Sequence, residues 1–297
     1  MASALIEKPA CGDFLPLLDG GYDLQYSPLL EFREGEGLVL FCQMDVTGRT
    51  ETDPAALILL GNILRYVSSA KPGIRRGVIY AGEPAGRSYL ESVGVSPRAL
   101  EGNQLPPGQV LVVGPGSGPI LAPAAATVGD WLRAGGRLIA VGLNEQEANA
   151  FLPWKLATAV REHIATYFEP FGRESPFAGV SPAEVHNRDP RNISLISNGA
   201  TIVGNGVLAM AQDGRAIFCQ LVPWQFDYSG EKMNVKRTFR RVARLTNRLL
   251  ANMGAAGNTR LLAYFAKPVG TGETRWLDGL YLDAPEEWDD PYRFFRW

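Results

Sequence analysis

From residue 78 onward, short all-apolar runs alternate with amphipathic stretches, the pattern of an α/β domain. Val78-Ile79-Tyr80, Val110-Leu111-Val112-Val113 and Leu138-Ile139-Ala140-Val141 read as buried strands. A strand without alternation is expected where helices cover both faces of a parallel sheet. Arg87 to Val93 and Pro123 to Ala134 read as the intervening helices, the second stopped by Gly135-Gly136. Residues 146–168 read as helical with a break at Pro153, and 176–192 as a polar loop. Ile193 to Ile196, Val207 to Met210 and Ile217 to Leu221 finish the sheet, partly antiparallel. A long helix from about Asn234 to Met253 closes the domain, with Val235, Phe239, Val242, Leu245 and Leu249 inward. The predicted fold is α/β, an open, mostly parallel sheet with helices on both faces.

The N-terminal part reads differently. Residues 1–36 are rich in Pro and Gly and read as irregular up to the short apolar run Leu29-Leu30. Then Gly37 to Met44 forms a buried-strand pattern, and Asp53-Pro54 opens a helix with Asp as cap and Pro in the first turn. Leu57, Leu60, Leu64 and Val67 make its expected buried stripe. Phe41-Cys42-Gln43 is echoed by Phe218-Cys219-Gln220, each followed by a loop and a helix. The echo predicts a partial repeat: the last strand and helix of a preceding α/β module. The expected division is 1–72 for that unit, 73–257 for the main domain, and 258–297 for a final short strand and a tail. On this reading the chain is the C-terminal part of something larger.

Composition narrows the function classes. With 297 residues, 46% hydrophobic, the chain can bury a full core. A net charge of −2 gives no general attraction for nucleic acid or an anionic membrane. No stretch approaches ~18 uninterrupted apolar residues, so no membrane span is expected. The N-terminus lacks the basic and apolar regions of a signal peptide, so an export signal would sit on a longer parent. Of three cysteines, Cys42 and Cys219 fall in apolar strand patterns, where cysteine acts as a small hydrophobe.

Motifs of chemistry are scarce. Gly114-Pro115-Gly116-Ser117-Gly118-Pro119 follows a buried strand, where α/β folds place ligand loops. Pro119 breaks the dinucleotide fingerprint, no Lys-Ser/Thr follows as in a phosphate loop, and the glycines are misplaced for a nucleophile elbow. A plain strand-to-helix turn is expected. A Ser or Cys nucleophile needs a base, and only His163 and His186 are present. His163 reads as half-buried filler in a helical pattern. His186, in a polar loop with Asp189, is the alternative catalytic candidate. Two histidines and no Cys-x-x-Cys argue against zinc, so neither metal nor cofactor is expected.

The closing helix sets Lys236, Arg240, Arg244 and Arg248 on one stripe, with Arg237 and Arg241 beside it. No base-reading or aromatic residues interleave, which speaks against nucleic acid. A solvated face is the plain expectation. The acidic tail (Asp283, Glu286, Glu287, Asp289, Asp290) offers a complementary partner. That tail is also dense in aromatics. It suits a strap burying Trp288 and Phe294 or a carbohydrate surface. The sugar-binding candidates are Trp224, Trp288, Asp289, Asp290 and Tyr292.

Three phrases carry a resemblance: Gly20 through Glu31, Phe41 through Thr50, and Asp289-Asp290-Pro291-Tyr292-Arg293. With them the chain resembles the C-terminal region of large bacterial family 2-type glycoside hydrolases or sugar-binding proteins. Those regions look like tandem modules of the class I glutamine-amidotransferase-like fold, similar to the trimerisation domain of some β-galactosidases. The resemblance implies a flavodoxin-like or amidotransferase-like sheet, assembly with upstream domains or other copies, and carbohydrate as a further partner. It also implies a nucleophilic Cys in a turn just after a strand. The comparable turn here, Gly142-Leu143-Asn144-Glu145, has none. A catalytically dead copy is therefore expected. The alternative is an active amidotransferase-like or ThuA-like hydrolase using His186 and nearby acids.

Overall fold

A computed structural model describes residues 2, 5–20, 24–102, 104–230, 232–259, 261, 270, 271 and 282. The N-terminal region is ordered into strands β1 (Ile6–Glu7), β2 (Asp13–Gly20), β3 (Tyr26–Glu34) and β4 (Gly37–Cys42). β3 pairs antiparallel with β2 along one edge and with β1 and β4 along the other. The expectation of an irregular segment up to residue 36 was wrong. Proline and glycine hid the pairing: Pro16 sits beside a register shift, where a strand tolerates the lost donor.

Helix α1 (Pro54–Ser68) starts as expected, with the Asp53 side chain accepting from the Ala55 amide at 3.0 Å. Its apolar stripe is not buried. Leu57 and Leu64 are 56% and 60% exposed, and Ala56 is the one buried residue of the helix. Helical periodicity shows which side can be buried; only a neighbour buries it.

The main sheet takes its strands from β5 (Gly77–Ala81), β6 (Pro97–Ala99), β7 (Gln109–Val113) and β8 (Arg137–Val141). Helix α2 (Pro84–Ser92) lies between β5 and β6 in the chain. Helices α3 (Ser117–Leu121) and α4 (Ala125–Arg133) join β7 to β8, and α5 (Glu145–Asn149) follows β8. Two strands, β9 (Ala157–His163) and β10 (Arg191–Asn198), form a two-stranded sheet of their own among the described residues. Thus the helix expected over 146–168 stops early. Pro153 lies past its end, and the stretch around Val160 is strand, paired antiparallel with β10. β10, expected in the main sheet, leaves it for the same reason. Strands β11 (Thr201–Val203), β12 (Leu208–Ala211) and β13 (Ala216–Cys219) complete the main sheet, and α6 (Met233–Asn252) closes the domain.

The seven-stranded order is β11-β12-β13-β8-β7-β5-β6. Five strands are parallel, and in chain order they run 2-1-3-4-5, the flavodoxin-like arrangement. β12 and β11 add an antiparallel margin beyond β13. Alternate residues of each strand face opposite cores. Val110, Val112, Ile139 and Val141 join one with α2 and α6, while Leu111, Val113, Leu138 and Ala140 join the other with α3, α4 and α5. Helices therefore cover both faces, as the unbroken apolar runs required.

α6 is the surprise of the architecture. Every residue from Thr238 to Leu250 is buried, arginines included. Phe239, Val242, Leu245 and Leu249 pack toward the sheet, as expected. The opposite side lies under the N-terminal strands and the 176–189 segment. Asn247 donates to the Ala10 carbonyl at 2.7 Å, and Asn252 to the Pro176 and Ala178 carbonyls at 2.9 Å.

Candidate functional site

In an open α/β sheet a ligand crevice forms where strand order reverses, at the carboxyl ends of the strands. Here that point lies between β5 and β7. The two following loops are tied together: the Glu83 amide donates to the Pro115 carbonyl and the Gly114 amide to the Ala81 carbonyl, each at 2.9 Å. Gly116, at φ +80°, turns the chain into α3. The crevice is filled from within. The Tyr80 hydroxyl donates to the Glu83 carbonyl at 3.0 Å, and the Trp224 indole N–H donates to Glu83 Oε1 at 2.5 Å. Trp224 also packs on Tyr89, ring centres 5.6 Å apart. A Cβ on Gly86 would meet Tyr80 at 2.0 Å and Trp224 at 2.9 Å; on Gly114 it would meet them at 2.8 and 3.1 Å. The two glycines are what let these rings sit there. Burial, and then the nearby Glu83 carboxylate, hold the Tyr80 phenol well above its ordinary range.

The turn after β8 is equally closed. Leu143 is buried in the core, and its carbonyl accepts from the Gln220 side chain at 3.0 Å. Asn144 and Glu147 form a reciprocal capping box on α5, and Glu147 also accepts from the Gly116 amide at 2.6 Å. The Ser117 hydroxyl, fully buried, has no partner among the described residues. Activating it would require a base beside it, and both histidines are held elsewhere.

His163 lies at the end of β9 rather than in a helix, and it is fully buried rather than half-buried. Its two ring nitrogens contact the Val185 carbonyl at 2.7 Å and the Asn205 amide at 3.0 Å. Burial lowers its pKa against the raising effect of those two contacts, so the ring stays neutral. The Nδ1 of His186 accepts from Arg241 of α6 at 2.8 Å, on the side of that helix away from the sheet. The Asp189 carboxylate is taken by Arg191, whose guanidinium stacks over Phe226 at 4.1 Å. Nor do the two buried thiols offer a nucleophile: burial pushes Cys219 up to about 12 and Cys11 to about 11. Among the described residues no three His, Cys, Asp or Glu side chains converge as a metal site. No described helix is long and apolar enough to cross a membrane. Trp288, Asp289, Asp290, Tyr292 and Phe294, with the strap they were expected to form, lie outside the described residues.

What the pattern missed is a buried charge network around α6. Glu184 is 3% exposed and pairs with Lys8 at 3.1 Å and Arg244 at 3.4 Å. Lys8 also meets Asp19 at 2.8 Å. Arg248 pairs with Asp13 at 2.9 Å, and Arg240 with Glu7 at 3.9 Å. Arg240, Arg244 and Arg248 of the basic stripe are therefore buried rather than solvated, and among the described residues their carboxylate partners come from the N-terminal strands and Glu184. The signal lay in the acids spaced along residues 7–19, which were read as loop.

No family model matches the chain, and no curated protein matches it. Among solved structures it is similar to a chain of PurLQS from Thermotoga maritima. Identity is 11% and the TM-score 0.39, over 60% of this chain and 98% of that one. A likeness of that size carries no argument; the fold assignment rests on the strand order and the two-faced core.

Proposed function

We propose that the chain is a non-catalytic assembly module of a carbohydrate-active, glycoside hydrolase-like protein, joining copies or domains around a sugar-binding cleft. The carbohydrate context comes from the resemblance of the phrases at 20–31, 41–50 and 289–293. The observation that carries the non-catalytic part is the closed crevice, where Trp224, Tyr80 and Glu83 occupy the place a substrate would take. Assembly is supported by α1, whose Leu57, Ile58 and Leu64 stand 56%, 63% and 60% exposed on one helix. Clustered large apolar groups in water mark an interface.

Light scattering across a concentration series tests the assembly. The chain is expected to self-associate, and Leu57→Glu with Leu64→Glu to return it to monomer without a change in circular dichroism. A wild-type chain that stays monomeric at every concentration would remove assembly between copies through α1. Glutaminase, esterase and glycosidase assays are expected to show no turnover. Turnover abolished by His186→Ala in a folded protein would replace the module with the hydrolase built on His186 and Asp189.

A further inference from the structure

The opposite edge of the main sheet holds a cleft that neither the assembly reading nor the resemblance uses. It lies between the N-terminal strands and the amino-terminal ends of β5 and β8, with a volume of about 260 Å³. That is near the lower end of small-ligand sites, ~300–1,000 Å³. Six guanidiniums line it (Arg33, Arg75, Arg76, Arg137, Arg173 and Arg248) against two carboxylates, Asp13 and Glu31. Both acids are already engaged. Asp13 holds Arg248 at 2.9 Å, and Glu31 holds Arg33 at 2.5 Å and accepts from Tyr66.

The other four arginines have no carboxylate partner among the described residues. Arg75 donates to the Asn258 side-chain oxygen at 2.8 Å, a neutral acceptor. Among the described residues Arg137 reaches the Met253 sulfur, at 3.8 Å. Arg173 lies over the Tyr66 ring at 4.9 Å. Arg76 contributes its backbone amide to the Gly254 carbonyl, and among the described residues no acceptor is recorded for its guanidinium. Arg137 is half-buried, and burial, then Arg76 and Arg215, pull its pKa below the usual guanidinium range. Like charges are therefore gathered here at a cost. The carboxyl end of α6 (Ala251 and Asn252, with Gly254 beyond it) forms part of the wall. Its dipole supplies about half a negative charge, far short of four. Guanidiniums cannot shed their protons to relieve the repulsion, and their planar forks match the oxygens of a tetrahedral anion.

We propose that this cleft binds a tetrahedral oxyanion, the phosphate or sulfate group of a molecule of about monosaccharide size. Arg76 and Arg137 grip the anion from the floor, and Arg75 and Arg173 close over it from the rim. The site uses neither the exposed leucines of α1 nor the closed crevice at the other ends of the strands.

Isothermal titration of the full chain at low salt, with glucose 6-phosphate, glucose 6-sulfate and glucose as probes, tests it. One or both esters are expected to bind, more weakly as salt rises, while glucose does not. Arg76→Gln with Arg137→Gln should weaken binding at least tenfold, and Arg98→Gln, an exposed cation elsewhere, should leave it unchanged. Should the double variant fail to fold, Arg75→Gln with Arg173→Gln, both exposed, replaces it and should weaken binding severalfold. A preference for one ester identifies the anion. No binding of either ester at millimolar concentration would overturn the proposal, as would binding that none of these arginine changes reduces.

Discussion

α1 and α6 are both amphipathic helices, and one side of each ends up the reverse of what its own pattern implies. The apolar stripe of α1 faces water at Leu57, Leu64 and Val67, while the cationic stripe of α6 is buried at Arg240, Arg244 and Arg248. The difference lies in what covers them. α6 sits between the main sheet and the N-terminal strands, so its charged side is enclosed, and its arginines persist there because Glu184, Asp13 and Glu7 meet them. Burying such charges is costly in itself and is tolerated only with partners in place. On α1, among the described residues, nothing comparable lies over the apolar side.

The largest effect should come from breaking the charged side of α6. Glu184→Gln leaves Arg244 buried against a neutral amide and Lys8 with Asp19 as its described carboxylate partner, and loss of one member of a buried pair costs about 3–5 kcal/mol. Chemical denaturation of the variant should show that loss; a change under about 1 kcal/mol would mean the network is more hydrated than its burial implies.

Next in size is the apolar side of the same helix against that of α1. Leu249→Ala, fully buried, should lose about 2–5 kcal/mol. Leu64→Ala should stay within about 0.5 kcal/mol in the dissociated chain. Equal losses in thermal melts at low concentration would show that α1 is covered within a single chain, and would erase the contrast.

The smallest and most specific effect is on acid stability. Burial raises the Glu184 carboxyl, but Lys8, Arg244 and two Ser181 contacts outweigh it and hold it at about 2, against an ordinary 4.5. A depressed carboxylate contributes fully above its unfolded value and loses that contribution as pH falls toward the folded one. Between about 4.5 and 2, wild type should therefore lose stability more steeply than Glu184→Gln. Parallel curves would place the acid sensitivity elsewhere.

The central strands of the main sheet were legible because they are buried on both faces. Val110 to Val113 and Leu138 to Val141 have no polar position to misread, and chain order with right-handed crossovers leaves few ways to arrange them. β9 was misread because Ala157 to His163 has neither unbroken apolarity nor strong alternation, and its partner β10 lies nearly thirty residues away. The closed crevice was half legible. The failures of the Gly114–Pro119 loop to match any ligand motif were visible, but Trp224 filling the space was not. The arginine cleft left a faint trace: Arg75-Arg76 and Arg137 each stand at the entry of a parallel strand, which puts them on one edge of the sheet.

Local pattern alone determined strands β5, β7 and β8, helices α2 and α4, the α6 core positions Phe239, Val242, Leu245 and Leu249, and the α1 cap at Asp53. Hydrophobic periodicity and capping are set by residues within a turn or two, so the chain carries them wherever it folds. Tertiary structure alone decided that Arg244 is buried and Leu64 exposed, that Glu184 meets Lys8 across 176 residues, and that six arginines share one cleft. Coulomb energy and desolvation depend on distance and enclosure in space, and neither is encoded in the spacing of residues along the chain.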